Sequence, residues 1–325
     1  MEQTMRRAFF RATLLVAAAL VTGAASAQAW PQKPIRVVIG FPPGTIMDGV
    51  ARPVTEEMSK RLGQPIILEF KPGAGSTIAT RSVVAADPDG YTLLFGAASA
   101  VLPLLNRNNG TDSGKELASV AHVASAPFFV LARGDLPATT LKDLVAHGKT
   151  AANGMTHGVG TQSAELVMQM FKARTGVESR SIPYKSSAQS LQAMLAGEID
   201  LSVGTVAAFL PHMQTGRIRA ITVMSAQRSP LAPNVPTPSE LGVPNLEIGT
   251  NLGLWAPPGT PRDVIARLAA EARAALAQPD VIERIRKGAA AEPSTTPSPE
   301  GQLRIYENEV KVWTEAARLA NFKAP

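Results

Sequence analysis

The residues best equipped for acid–base or metal chemistry are four histidines, His122, His147, His157 and His212. No two stand at metal-ligand spacing, and no HExxH pair would present two imidazoles on one helix face. The carboxylates Asp48, Asp87, Asp89 and Asp200 are scattered, with no spacing that pairs them as acid and base. Neither a GxSxG turn, which exposes a nucleophilic serine, nor a phosphate-cradling GxxxxGK[ST] loop occurs. Gly73-Ala-Gly75 and Gly158-Val-Gly160 begin like dinucleotide fingerprints, but Ile78 and Ser163 stand where the third glycine belongs. The expectation is a protein that is not an enzyme, with no metal site and no cofactor.

What remains is two glycine-rich turns, each running into a helix. PPGTIMD (42–48) contains Thr45-x-x-Asp48, the spacing of a capping box. HGVGTQSAE (157–165) leads into a segment with Leu166, Val167, Met170 and Phe171 on one face. Free amides at a helix N-terminus, with the positive end of the helix dipole, favour a small anion such as a carboxylate. Glycine lets the backbone approach it closely. Two such turns, roughly one on each expected lobe, predict a cleft that grips a small anion from both sides. His157 is kept as a candidate because it abuts the second turn.

The elements that must hold these turns alternate along the chain. Strands are expected at 35–41, 65–70, 91–96, 128–132, 199–204, 220–225 and 252–257, mostly as continuous apolar runs suited to strands buried on both faces. Helix-like segments lie between them, so the rhythm predicts an α/β fold with largely parallel sheets. Two long helices close the chain. One is expected over 261–277, with Thr260 as N-cap and Pro261 in its first position, and one begins at Ser298-Pro299-Glu300. In the latter, Tyr306, Val310 and Trp313 follow the spacing of a buried stripe. The proline-rich segment 226–250 reads as an ordered connector on the surface. A helix starting at Ile46 would contain Pro53, which removes one hydrogen bond and crowds the carbonyl of Gly49. A kink, or a split into two helices, is expected there.

The N-terminus carries Arg6, Arg7 and Arg11, then an uncharged apolar run, then Ala25-Ser26-Ala27. This is the pattern of a secretory signal peptide over 1–27, cleaved near Ala27. The chain has no cysteine, which excludes disulfides and thiolate metal sites. The formal charge of +6 falls to +4 when three arginines and Glu2 leave with the leader. No basic cluster remains and aromatic residues are few, so nucleic-acid binding is not expected.

Several stretches resemble the extracytoplasmic substrate-binding proteins of tripartite tricarboxylate transporters, the Bug or TctC-like proteins. They are WPQKPIRVVIGFPPG (30–44), LGQPIILEFKPGAGSTIA (62–79), DPDGYTLLFG (87–96), IPYKSSAQSLQAMLAGEIDL (182–201), RAITVMSAQRSPLAPNVPTPSELGVP (219–244) and GLWAPPGTP (253–261). The resemblance implies a two-lobed periplasmic-binding-protein fold of type 2, with lobe 1 formed by 30–128 and 248–325 and lobe 2 by 129–247. It implies a monomer in the periplasm that closes over a small organic acid and delivers it to the membrane subunits of a transporter, or reports it to a sensor protein. The site then maps onto Phe41, Pro42, Thr45, Ile46, Met47 and Asp48 in the first loop. In the second it maps onto His157, Gly158, Gly160, Thr161, Gln162 and Ser163. Ala98 and Ser99 after the third strand, with Gly204 and Thr205 after IDLSV, complete the set.

The chain also departs from the family pattern. Relatives usually read FPPGGGTD in the first loop, whereas here Gly44 is followed by Thr45, Ile46 and Met47. Gly204 stands where many relatives carry an aspartate. Ile46, Met47 and Gly204 together predict an organic acid with an apolar or aromatic body and no ammonium group.

Overall fold

A computed structural model of the chain describes residues 30–97, 113–151 and 154–321. The leader with its cleavage site, Ala98 and Ser99 lie outside the described residues. The order is β1 (Ile35–Ile39), α1 (Ile46–Leu62), β2 (Ile66–Phe70), α2 (Thr77–Val84), β3 (Thr92–Ala97) and β4 (Ala118–Arg133). Then follow α3 (Leu141–Thr150), β5 (Thr156–Val159), α4 (Gln162–Thr175), β6 (Arg180–Pro183), α5 (Ser187–Leu195), β7 (Leu201–Thr205), α6 (Val206–Gln214) and β8 (Ile218–Val223). The chain ends with β9 (Gly249–Ala256), α7 (Arg262–Leu276), α8 (Pro279–Ala289), β10 (Glu292–Pro293) and α9 (Pro299–Leu319).

The strands run β2-β1-β3-β9-β4-β7-β5-β6, with β8 and β10 also pairing β4. Pairs at the two ends are parallel: β1 with β2 and β3, and β5 with β6 and β7. Every pair made by β4 or β9 is antiparallel. The sheet is therefore mixed, where the apolar runs predicted a largely parallel one. Both long strands are buried on each face, and a continuous apolar run records that burial without recording direction.

β4 extends well before the expected 128–132 segment. Its first half, ASVAHVASAP, is rich in alanine, which strands disfavour, and ends in a proline, so its two valines give only a weak strand signal. Pro127 is tolerated because it sits opposite Gly249, where the pairing with β9 ends.

Two cores flank this crossing. Ile35, Val37, Ile39, Val50, Val54, Met58, Leu254 and Ile285 belong to the first. Phe128, Val130, Leu166, Val167, Phe171, Val203 and Trp313 belong to the second. β4 passes between them after Pro127, and the return passes at Ile248–Gly249. The last helix is a third link: Tyr306 packs with Leu94 and Trp255 near the first core, whereas Trp313 and Ala316 lie in the second. Within the 248–325 stretch expected in lobe 1, the later turns of α9 therefore pack against the second core. Amphipathic spacing shows that α9 is buried, but not that its stripe serves two cores in succession.

α1 is one helix from Ile46 to Leu62 with Pro53 inside it, so of the two expected outcomes, a kink or a split, the split does not occur. Pro53 and the stripe Val50, Val54 and Met58 are buried, and packing on this scale outweighs one lost backbone hydrogen bond. Gly63 ends the helix in the left-handed conformation, φ 67°. The α7 cap differs by one residue: the helix starts at Arg262, and the Thr260 hydroxyl donates to the Pro257 carbonyl at 2.8 Å instead of capping. Ser298 caps α9 as expected, accepting from the Gly301 amide at 2.9 Å.

Candidate functional site

The first turn leaves β1 at Phe41. Phe41 is half-buried against the first core, Pro42 is exposed, and Gly44 takes the left-handed φ of 78° that side chains resist. The expected capping box does not form. The Thr45 hydroxyl donates to the Pro42 carbonyl at 2.9 Å, and Asp48 Oδ2 reaches past Thr45 to accept from the Gly44 amide at 2.9 Å. Asp48 Oδ1 takes an ion pair from Arg52 at 2.7 Å. The backbone amides of Ile46, Met47 and Asp48 meet no acceptor among the described residues. Met47 is 4 % exposed and packs in the first core, so its side chain is not offered to a ligand as expected. Ile46 is half-buried on the same core. The helical period decides this, because Met47, Val50 and Val54 share one face.

The second turn joins β5 to α4. His157 is fully buried (0 % exposed), with Nδ1 2.9 Å from Ser179 Oγ and Nε2 3.2 Å from Glu165 Oε2. Its imidazole therefore ties the loop to its own lobe and is closed to a ligand. Burial alone would raise the Glu165 carboxyl, but hydrogen bonds from His157, Gln169 and Ser181 outweigh it and hold the group well below the usual carboxylate range. Thr161 caps α4, accepting from the Ala164 amide at 3.2 Å, while the Ser163 amide has no acceptor among the described residues. Gln162 opens the helix; its side chain lies outside the described part.

The glycines here serve the protein's own packing. A Cβ on Gly158 would stand 2.2 Å from Ser190 Oγ, and one on Gly160 only 2.3 Å from the Ser187 amide nitrogen. At Gly204 the obstacle is the Phe209 ring, 2.4 Å away. Gly204 is thus accounted for by a neighbouring side chain, independently of any ligand charge. Thr205 ends β7 and begins α6 without a side-chain cap.

Register places these turns relative to each other. Ala97 at the end of β3 lies opposite Leu252, and Leu252 opposite Ala124, just before the crossing at Pro127. Thr205 at the end of β7 lies opposite Phe128, and β5 runs parallel beside β7. The carboxyl ends of β1, β3, β5 and β7 therefore all point at the crossing, from opposite lobes. The turns that follow share that level, which is where open α/β sheets take ligands. Gly44, Thr45 and Asp48 line an open groove of about 670 Å³ with residues of α1 and α8, and no residue of 157–163 reaches it.

A polar chain that no sequence motif signalled spans the crossing. His122 Nδ1 is 3.0 Å from Ser294 Oγ and its Nε2 3.1 Å from Ser125 Oγ. Ser125 donates to Asn251 Oδ1 at 2.6 Å, and Asn251 Nδ2 donates to Glu309 Oε1 at 2.8 Å. Burial pushes His122 down to about 4 and Glu309 up to about 8, so both are neutral at pH 7. The sign for Glu309 follows directly. Folded chains keep a proton that unfolded chains release above their ordinary 4.5, so stability falls as pH rises from 4.5 to about 8 and is flat beyond. Glu309→Gln removes the proton and is expected to be relatively more stable at pH 8 than at pH 5, by on the order of 2–4 kcal/mol. Urea unfolding of both chains at the two pH values checks this; an identical pH dependence would contradict it.

Two cores, crossing strands and ligand-ready strand ends facing each other define a bilobed receptor architecture. The family model described as "Tripartite tricarboxylate transporter family receptor", TctC, matches residues 50–316. The chain belongs to that family, whose members are receptors. Among solved structures it is similar to the periplasmic binding protein BugD, at 31% identity and TM-score 0.72 over 90% of this chain and 99% of that one. It is also similar to MatC from Rhodopseudomonas palustris with bound malate, at 28% identity and TM-score 0.72 over 88% and 99%. A third is R. palustris Rpa4515 with adipate, at 29% identity and TM-score 0.75 over 90% and 99%. The fold is the two-domain periplasmic-binding-protein fold, and the chain is a solute-binding receptor of the tripartite tricarboxylate transporter type.

Proposed function

We propose that this receptor works in the periplasm, capturing a small organic carboxylate between the Phe41–Asp48 turn and the Gly160–Ser163 turn and passing it to the membrane subunits of its transporter. The observation that carries the reading is the convergence of the β1, β3, β5 and β7 ends on one crossing, with helix amides at Ile46, Met47, Asp48 and Ser163 that meet no acceptor among the described residues. Those amides bind an anion without a charged side chain. Lobe 1 is 30–128 with 248 to the first part of α9, lobe 2 is 129–247, and closure turns about Pro127 and Gly249. The ligand shifts the lobes toward closure because its two ends are satisfied together only when the turns approach.

Met47 lies in the core, so one of the three residues behind the expected apolar or aromatic body does not face a ligand, while Gly204, which makes room for Phe209, still offers no partner for an ammonium group. Malate and adipate in the similar receptors favour an aliphatic dicarboxylate. A thermal-shift panel tests this. Succinate, malate and adipate are expected to raise the melting temperature more than benzoate or glutamate do, and no shift with any carboxylate would overturn the reading.

A further inference from the structure

The loop after β2 returns to the same end of the sheet as the first turn. β2 pairs with β1 in parallel, Phe70 lies opposite Ile39, and the Lys71 amide donates to the Ile39 carbonyl at 2.8 Å. Residues 73–76 then turn the chain into α2. Gly73 has a φ of 136°, and Ala74, Gly75 and Ser76 follow at 46°, 61° and 80°. Two residues with side chains thus stand in the left-handed region within one short loop. Such backbone is costly and persists only where its surroundings fix it, often at ligand clamps.

What this loop fixes is Ser76. The residue stands at the N-cap of α2, yet its hydroxyl caps no amide. It is 7 % exposed, and the hydroxyl makes no hydrogen bond among the described residues. Val37 and Ile39 face the core of α1, whereas Val38 packs with Ala79 and Val83 of α2, so position 40 faces α2 as well. A Cβ on Gly40 would lie 1.9 Å from Ser76 Oγ and 2.5 Å from its Cβ. The hydroxyl therefore rests against bare backbone at the end of β1, immediately before the Phe41–Asp48 turn. A buried hydroxyl given neither to its own helix nor to a neighbouring side chain is costly unless something else bonds it.

We propose that Ser76 is a ligand-binding residue, whose hydroxyl donates to the carboxylate held by the first turn. The inference rests on the carboxylate cleft proposed above and adds a third element to it, on the α2 side of β1. Hydrogen bonds to a charged acceptor are about twice as strong as neutral ones, so one hydroxyl carries a measurable share of the affinity.

Calorimetry of the full chain with succinate, malate and adipate is the test, with melting curves taken without ligand. Ser76→Ala removes the hydroxyl and leaves the backbone as it is. It is expected to bind about tenfold more weakly with little change in melting temperature. Ser76→Gly removes the hydroxyl and suits a φ of 80°, so it is expected to bind as weakly as Ser76→Ala and to melt no lower than the parent chain. Weaker binding at undiminished stability separates a ligand contact from structural support, because lost support lowers both. A fall in melting temperature in both variants that accompanies the weaker binding overturns the proposal. Affinity within about twofold of the parent in both variants, while Gly160→Val still loses binding, overturns it and leaves the cleft standing. No binding of any of the three acids by the parent chain overturns the cleft and this inference with it.

Discussion

Gly160→Val is expected to weaken carboxylate binding by about tenfold or more, equivalent to roughly 1.4 kcal/mol, and to destabilise the second lobe as well. From sequence alone, the glycine is there to let backbone approach the anion. The structure adds a more immediate reason. A Cβ at this position would lie 2.3 Å from the Ser187 nitrogen and 2.5 Å from its Cα, inside the backbone that starts α5. Backbone cannot rotate away as a side-chain tip can, so the turn itself must move. Overpacking of this kind costs about 1–3 kcal/mol. The displacement falls on Thr161 and Ser163, whose positions aim the α4 amides at the crossing. Calorimetry with the best carboxylate of the panel measures the first effect and urea unfolding the second. Wild-type affinity in a folded Gly160→Val chain would remove this turn from the site.

Trp313→Ala is expected to cost the most stability of any change considered, about 3–5 kcal/mol. The side chain is 3 % exposed and meets Phe128 edge-to-face, with ring centroids 6.3 Å apart and planes at 88°. Phe128 is the first residue of β4 beyond the crossing, so the ring pair clamps the end of α9 onto the hinge. Truncation leaves a large cavity in the second core and frees the helix that joins both lobes. A fall in melting temperature of roughly 10 °C is expected for a chain of this size. A loss below about 1 kcal/mol in urea unfolding would show that the clamp contributes little.

How much could be read beforehand depended on what each residue's signal records. Seven strand segments were legible because long apolar runs between turn residues report burial directly. β5 and β6, the four-residue segments THGV and RSIP, were not. Both are short, and a strand holding glycine or ending in proline has no alternation or propensity to show. The two turns were found as glycine-rich entries to helices, but the role of each side chain within them was not. Thr45 and Asp48 have capping-box spacing, yet Asp48 turns to Gly44 and Arg52. His157 looked available because it abuts a loop, while its ring is enclosed by Ser179 and Glu165.

The sequence by itself determined the α/β rhythm, the two helix-entry turns, the absence of an enzyme's motifs and the family resemblance. These are properties of local pattern, in which each residue is read with neighbours a few positions away. Tertiary structure alone decided that β4 and β9 run antiparallel through both lobes, that α9 ends in the second core, and that Met47 faces inward. It also brought Ser125, Asn251 and Glu309 into one hydrogen-bonded chain and left two buried carboxyl oxygens unmatched beside it. Those partners are separated by 126 and 58 positions along the chain. No spacing rule reaches so far, because such contacts are set by how whole elements pack.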